Sequence, residues 1–293
     1  MDDSLKLRLT NQIFRFEAVI SSAKEHDSSF TLDFEKGRYR QDELVGLIRD
    51  IVPFFALTAE EISCIDRSEW NRQSFTRISD ASRNSKGDYG ELLLYILLTH
   101  FYDTPKFVTK ARLRSTTKEQ IKGFDCAHFS ICDGQVTLWL GEAKFHKSLS
   151  SAVAKTLISL EDHLNDPDRI KSELKLLGGE IEINKTLEPD TFNLLKSYVS
   201  GGKSLDKVDI AVPVLVTYDS RCINGFCGDL SADIESASFC KKLKDELEVG
   251  FKKIYGNTWP SNKNMKIVFF LFPLESVSDL KEKIASVEAA MRF

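Results

Sequence analysis

Lys122-Gly123-Phe124-Asp125-Cys126-Ala127-His128-Phe129 and Leu138-Trp139-Leu140-Gly141-Glu142-Ala143-Lys144-Phe145-His146 read as two β-like phrases joined at Asp133-Gly134, a turn dipeptide favoured in tight hairpins. Alternate residues of a strand share a face, so Glu142 and Lys144 point the same way and Asp125 can meet them across an antiparallel pair. Two carboxylates and an ammonium then converge. The same parity adds His146 to the face of Glu142 and Lys144, and turns Cys126 and His128 to the face opposite Asp125.

Working outward, residues 85–102 form the most apolar segment of the chain, too uniformly apolar for a surface helix and therefore expected as a buried central helix. Strands are expected over residues 106–114, 124–132 and 135–142, followed by a helix over 148–163 with Ser148 or Ser150 as its N-cap. Asn165-Asp166-Pro167-Asp168 breaks that helix. Residues 165–208, punctuated by Gly178-Gly179 and Gly201-Gly202, read as a helical insertion with an apolar-patterned stretch at 191–199. The near-continuous apolar run of 209–217 is expected as a fully buried strand. A long helix over 231–253, a buried strand over 265–272 and a closing helix over 276–291 complete the order. At the start, residues 11–21 and 29–34 alternate like strands, 41–55 carry a helical pattern disturbed by Pro53, and Thr58-Ala59-Glu60-Glu61 reads as an N-cap with an acidic first turn. The expected division is an N-terminal α+β subdomain over residues 1–80 and a second domain over 81–293.

The chain's 293 residues bury a substantial core under either a one-domain or a two-domain division. A net charge of -4 gives no global positive field, so any nucleic-acid contact must rest on local patches. No run reaches the roughly 18 apolar residues of a membrane span, and Met1-Asp2-Asp3-Ser4 lacks the blocks of a signal peptide. A cytoplasmic protein is expected. The six cysteines contain no Cys-x-x-Cys pair and the five histidines no zinc spacing, which reads as buried small hydrophobes rather than a structural zinc site.

Phosphodiester hydrolysis requires a water made nucleophilic near neutral pH and charge stabilisation on the phosphoryl oxygens. Mg2+, or Mn2+ in its place, meets both needs and is held by one or two carboxylates together with carbonyl oxygens and waters. Asp125 and Glu142 are the expected metal ligands, the Ala143 carbonyl a third, and Lys144 the catalytic cation that orients water and offsets developing charge. Glu91, a carboxylate in the apolar helix, is the candidate helper and further ligand, because a buried carboxylate must be paired, metal-bound or near enough to the helix start to reach water. Gly87 and Gly90 favour the last explanation, and Asp88 is an alternative to Glu91.

The helix with Glu91, then Gly123-Phe124-Asp125, then Gly141-Glu142-Ala143-Lys144 and a following helix resembles the PD-(D/E)XK nuclease core, with Phe124 where the name motif has proline. That resemblance implies an α/β fold with a restriction-endonuclease-like mixed sheet flanked by helices. The longer phrases around Asp125 and Glu142 resemble the HamA family, nuclease subunits of the Hachiman anti-phage system. This second resemblance implies a DNA nuclease of little sequence specificity, held by a helicase partner of the HamB type until altered DNA is sensed.

Lys106, Lys110, Arg112, Arg114, Lys118 and Lys122 form a basic arm leading into Asp125, opposed by Glu119 alone. Phosphate tracking is the functional reading, with Lys147 and Lys155 extending the patch, and a solvated hairpin face is the ordinary one. His146 ranks as a supporting group, whereas His128 is expected to be structural. Gly201-Gly202-Lys203-Ser204 has Ser197 where a P-loop needs glycine and no strand before it, so ATP binding is rejected. No Gly-x-Ser-x-Gly elbow is present. The rival to a nuclease is a catalytically inactive module of the same fold that binds DNA or a partner protein, a reading disfavoured by retention of both carboxylates and the lysine.

Overall fold

The computed structural model describes residues 3–78, 87–109, 124–132, 135–164, 189–199, 208–261 and 264–292. Its elements run α1 (Asp3–Gln12), β1 (Phe14–Arg15), β2 (Ser28–Thr31), β3 (Phe34–Glu35), β4 (Arg38–Tyr39), α2 (Gln41–Ala56), α3 (Ala59–Cys64), α4 (Trp70–Phe75), α5 (Asp88–Phe101), β5 (Lys106–Thr109), β6 (Cys126–Cys132) and β7 (Gln135–Phe145). They continue with α6 (Leu149–Leu164), α7 (Pro189–Val199), β8 (Asp209–Asp219), α8 (Arg221–Phe226), α9 (Ala237–Tyr255), β9 (Met265–Leu274) and α10 (Val277–Met291). The result is the mixed α/β architecture expected, a central sheet flanked by helices.

Seven strands form the sheet in the order β1-β2-β9-β8-β7-β6-β5. The centre is parallel, β2 with β9, β9 with β8 and β8 with β7, while β6 and β5 continue it antiparallel. Between β7 and β8 the chain passes through α6, and between β8 and β9 through α9, the crossovers that parallel neighbours require. β8 is buried from Ile210 to Tyr218, which is why it reads as a continuous apolar run rather than an alternating one.

Helix α5 is buried on all sides from Asp88 to Leu98. Two glycines allow it to lie directly on β7. A Cβ on Gly90 would stand 3.0 Å from the Phe145 Cβ, and one on Gly141 would stand 2.6 Å from Cys126 Sγ and 2.7 Å from Leu94 Cδ2. Gly141, Ala143 and Phe145 therefore face α5. On the opposite face α6 and α9 pack together, with Gly250 of α9 set against Leu271 of β9 and Leu149 of α6.

Residues 3–78, the described part of the expected N-terminal α+β subdomain, contribute to this sheet and core. Ser28 and Ser29 of β2 pair with Phe270 and Leu271 of β9, and Phe30 packs edge-on against Phe270 at 5.7 Å. Gln41 at the start of α2 donates to the Ser276 carbonyl at 2.9 Å and accepts from the Glu275 N–H at 3.0 Å. Thr58 and Glu61 form the expected N-terminal cap as a full capping box. Two local expectations change. Residues 3–12 are helical, with Leu5 and Leu9 buried one turn apart, so strand structure in the expected 11–21 stretch is confined to Phe14–Arg15. The helix expected from 231 begins at Ala237, because Asp229 and Asp233 accept the Ser231 and Glu235 N–H groups at 2.9 and 2.7 Å, local bonds that compete with helical ones. Cys64, expected to be buried, is exposed on α3, a helix with no buried residue. Of the expected insertion, α7 is described, and the rest of it, including residues 201–204, lies outside the described residues.

Candidate active site at the open edge of β7

β6 and β7 pair antiparallel from Cys132–Gln135 to Cys126–Gly141, while the expected turn at Asp133-Gly134 lies outside the described residues. The ladder ends on the β7 side at Gly141, whose carbonyl accepts the Asp125 N–H at 2.8 Å. Beyond it, among the described residues, the Asp125 side chain takes the place of a strand: Oδ2 accepts the Ala143 N–H at 2.7 Å. Within one extended residue the N–H and C=O point to the same edge, so the Ala143 carbonyl faces the Asp125 side too. β7 continues to Phe145 paired with β8, Glu142 opposite Val214 and Lys144 opposite Val216.

Glu142 and Lys144 turn away from α5 toward α6. Glu142 is 2% exposed; its Oε1 accepts from the Lys144 ammonium and from Ser159 Oγ of α6, the latter at 2.7 Å. Burial raises the Glu142 pKa first and the Asp125 charge raises it further, while Lys144 and Ser159 pull it back without cancelling the rise. Asp125, Glu142 and Lys144 are thus brought together as the alternating pattern implied. Ser159 was missed: a lone serine in an amphipathic helix carries no signal until the helix is docked on the sheet.

The donor set suits a hard divalent ion. Glu142 Oε2 is buried with no hydrogen-bond partner among the described residues, and Asp125, Glu142 and the Ala143 carbonyl offer only oxygen. Among the described residues no three His, Cys, Asp or Glu side chains stand close enough to hold an ion. The protein's charged contribution is then two carboxylates, within the one or two through which Mg2+ is usually held.

Glu91 and Asp88 lie buried in the first turn of α5, beside Gly90 and its contact with β7. Glu91 does not join Asp125 and Glu142 in a three-carboxylate group. Cys126 and His128 face α5, as strand parity required. The His128 ring stands 5.7 Å from that of Tyr95, and its Nδ1 meets the Thr104 carbonyl at 2.9 Å. Burial pushes its pKa down to about 4, so the imidazole is neutral and structural. Lys106, the first residue of the expected basic arm, donates to the Phe54 and Leu57 carbonyls, both at 2.8 Å, and so caps the C-terminus of α2. Lys110, Arg112, Arg114, Lys118 and Lys122 lie outside the described residues. His146 stands on the far side of Lys144; burial, then Lys155, Lys281 and Lys144, press its pKa down to about 4. Lys147 is exposed just beyond it. No helix among the described residues is long and apolar enough to cross a membrane.

The family model described as HamA matches residues 9–287. No curated protein matches the chain.

Proposed function

Because the chain belongs to the HamA family, a component family of the Hachiman anti-phage system, we propose that it is a metal-dependent DNA nuclease and the effector of its defence complex. The observation that carries this reading is the buried trio at the edge of β7: Asp125 capping Ala143, Lys144 paired with Glu142, and a Glu142 oxygen that no hydrogen bond satisfies among the described residues.

Asp125 and Glu142, the two carboxylates that the fold brings together, would hold Mg2+ or Mn2+. The ion when bound supplies an activated water and Lewis-acid stabilisation of the phosphoryl oxygens. The remaining work belongs to the chain. The Ala143 N–H fixes the Asp125 carboxylate, and Ser159 fixes one oxygen of Glu142, so both present preset directions to the ion. Lys144, 17% exposed at its side chain, stands between the buried carboxylates and solvent. There it orients the attacking water and places positive charge where negative charge develops.

Net charge of -4 makes the lone chain a poor DNA binder at a distance. Delivery by a helicase subunit raises the local DNA concentration and restrains the nuclease until the helicase meets altered DNA. The test is degradation of plasmid by the purified chain with Mg2+, with and without the helicase partner, beside Glu142→Ala and Lys144→Ala. The parent degrades DNA and both variants fail. Degradation indifferent to both substitutions removes the assigned site, and DNA binding without cutting in every condition leaves the inactive-module reading.

A further inference from the structure

Just past the catalytic strand lies a cavity of about 330 Å³ whose lining includes Phe145, His146, Lys147, Ser151, Ser278 and Lys281. Three elements meet there: the end of β7, the first turns of α6 and the first turns of α10. We propose that this cavity holds a phosphate group of the nucleic-acid strand beside the one being cut, gripped by Lys281, Lys147 and Lys155 around His146. The proposal rests on the nuclease reading for what the phosphate belongs to, but not for the existence of the site.

The lining itself places Lys147 and Lys281 there. Lys281 lies over the Phe145 ring at 5.2 Å, a cation–π contact that holds its stem against the floor of the cavity. Lys155, one turn beyond Ser151 on α6, acts on both His146 and Lys281, and Lys147 acts on Lys281. With Lys144 acting on His146 as well, three lysines act on one imidazole. Like charges so placed raise each other's cost, and an anion among them relieves it. Asp219 of β8 accepts the Val277 N–H at 2.7 Å, and Asp279 of α10 pairs with Lys283 at 2.9 Å. The hydroxyls of Ser148, Ser151 and Ser278 complete a lining suited to phosphate oxygens rather than to a base.

Position gives the site its role. His146 follows Lys144 by two residues, about 7 Å along a strand, so a phosphate held there belongs to a nucleotide next to the scissile one. Its grip fixes the strand's register across Glu142 and Lys144 without reading bases.

The test measures binding in EDTA, where cutting plays no part. Fluorescence anisotropy at low salt is followed for a short single-stranded oligonucleotide carrying either a 5′-phosphate or a 5′-hydroxyl. Lys281→Ala and Lys155→Ala each weaken binding and reduce the salt slope by about 0.7 for each phosphate no longer neutralised. Lys281→Arg restores binding, and Lys283→Ala, the same charge change on an exposed part of α10, leaves it at the parent value. An effect confined to the 5′-phosphorylated strand identifies a terminal monoester, and an equal effect on both strands an internal diester. Parental affinity and slope in Lys281→Ala and Lys155→Ala, or no binding by the parent, overturn the proposal. A chain that binds in this Lys281-dependent way but never cuts keeps the phosphate site and loses the nuclease reading.

Discussion

The two faces of β7 carry opposite solutions to the same backbone. Toward α5 the strand presents Gly141, Ala143 and Phe145, small or apolar groups on which a fully buried helix rests at the closest distance a glycine allows. Toward α6 the intervening residues are Glu142 and Lys144, followed by His146; Lys144 and Ser159 hold the Glu142 carboxylate against burial and the Asp125 charge. One face is arranged for packing and the other for electrostatics, and period-two alternation lets neighbouring residues serve both. The rigid face is what makes the charged face possible: carboxylates this close need a backbone that does not yield.

The contrast is most vulnerable on the charged face. Glu142→Ala or Lys144→Ala is expected to lower plasmid degradation by about 10²–10³-fold, the usual scale for losing a group that stabilises transition-state charge. Circular dichroism should remain that of the parent. On the packed face the largest effect is one of pH. His128 has a folded pKa of about 4 against 6.5 when unfolded; its stabilising contribution is complete above about pH 6.5 and is lost as pH falls toward 4. The shift corresponds to roughly 3 kcal/mol at about 1.4 kcal/mol per unit. Urea melts at pH 7 and pH 4.5 should show that pH dependence in the parent and a flatter one in His128→Phe. Ser159→Ala removes a donor to Glu142 without touching substrate, and a loss of about 10–100-fold in Mg2+ affinity or activity is expected, recovered by Ser159→Thr. The smallest effect tests the close approach at the glycines. Gly141→Ala, whose new Cβ meets Cys126 and Leu94, should cost about 1–3 kcal/mol in thermal stability, and Gly90→Ala should fall at the low end of that range. Equal melting curves for all three proteins would show that α5 can shift on β7, and the contrast between the faces would weaken.

Much of this was legible because it is local. Alternation put Glu142 and Lys144 together and set Cys126 and His128 apart from them, and continuous apolar runs marked β8, β9 and α5. What escaped depends on partners distant in the sequence. Ser159 acquires meaning only when α6 docks over β7. The place of β2 in the sheet depends on pairing with β9 near the other end of the chain, which no window of periodicity contains. Lys106 looked like part of a DNA-tracking arm and instead closes the carbonyl end of α2, since a charge pattern does not distinguish solvent from a helix terminus.

The pairing of Ser28 with Phe270 sets a schedule for synthesis. As the chain leaves the ribosome, β1 and β2 can pair with each other, but β2 waits for its parallel neighbour until β9 has been made. The hairpin that carries Asp125 and Glu142 exists earlier, yet β7 has only β6 beside it until β8 emerges, and β2 has no parallel neighbour until β9 arrives. Sheet completion is therefore a late event with a long loop to close. A chain truncated before residue 265 would carry the whole trio without the completed sheet that holds it still. For a protein whose proposed activity threatens the cell that makes it, late completion of the sheet ties that activity to the synthesis of β9.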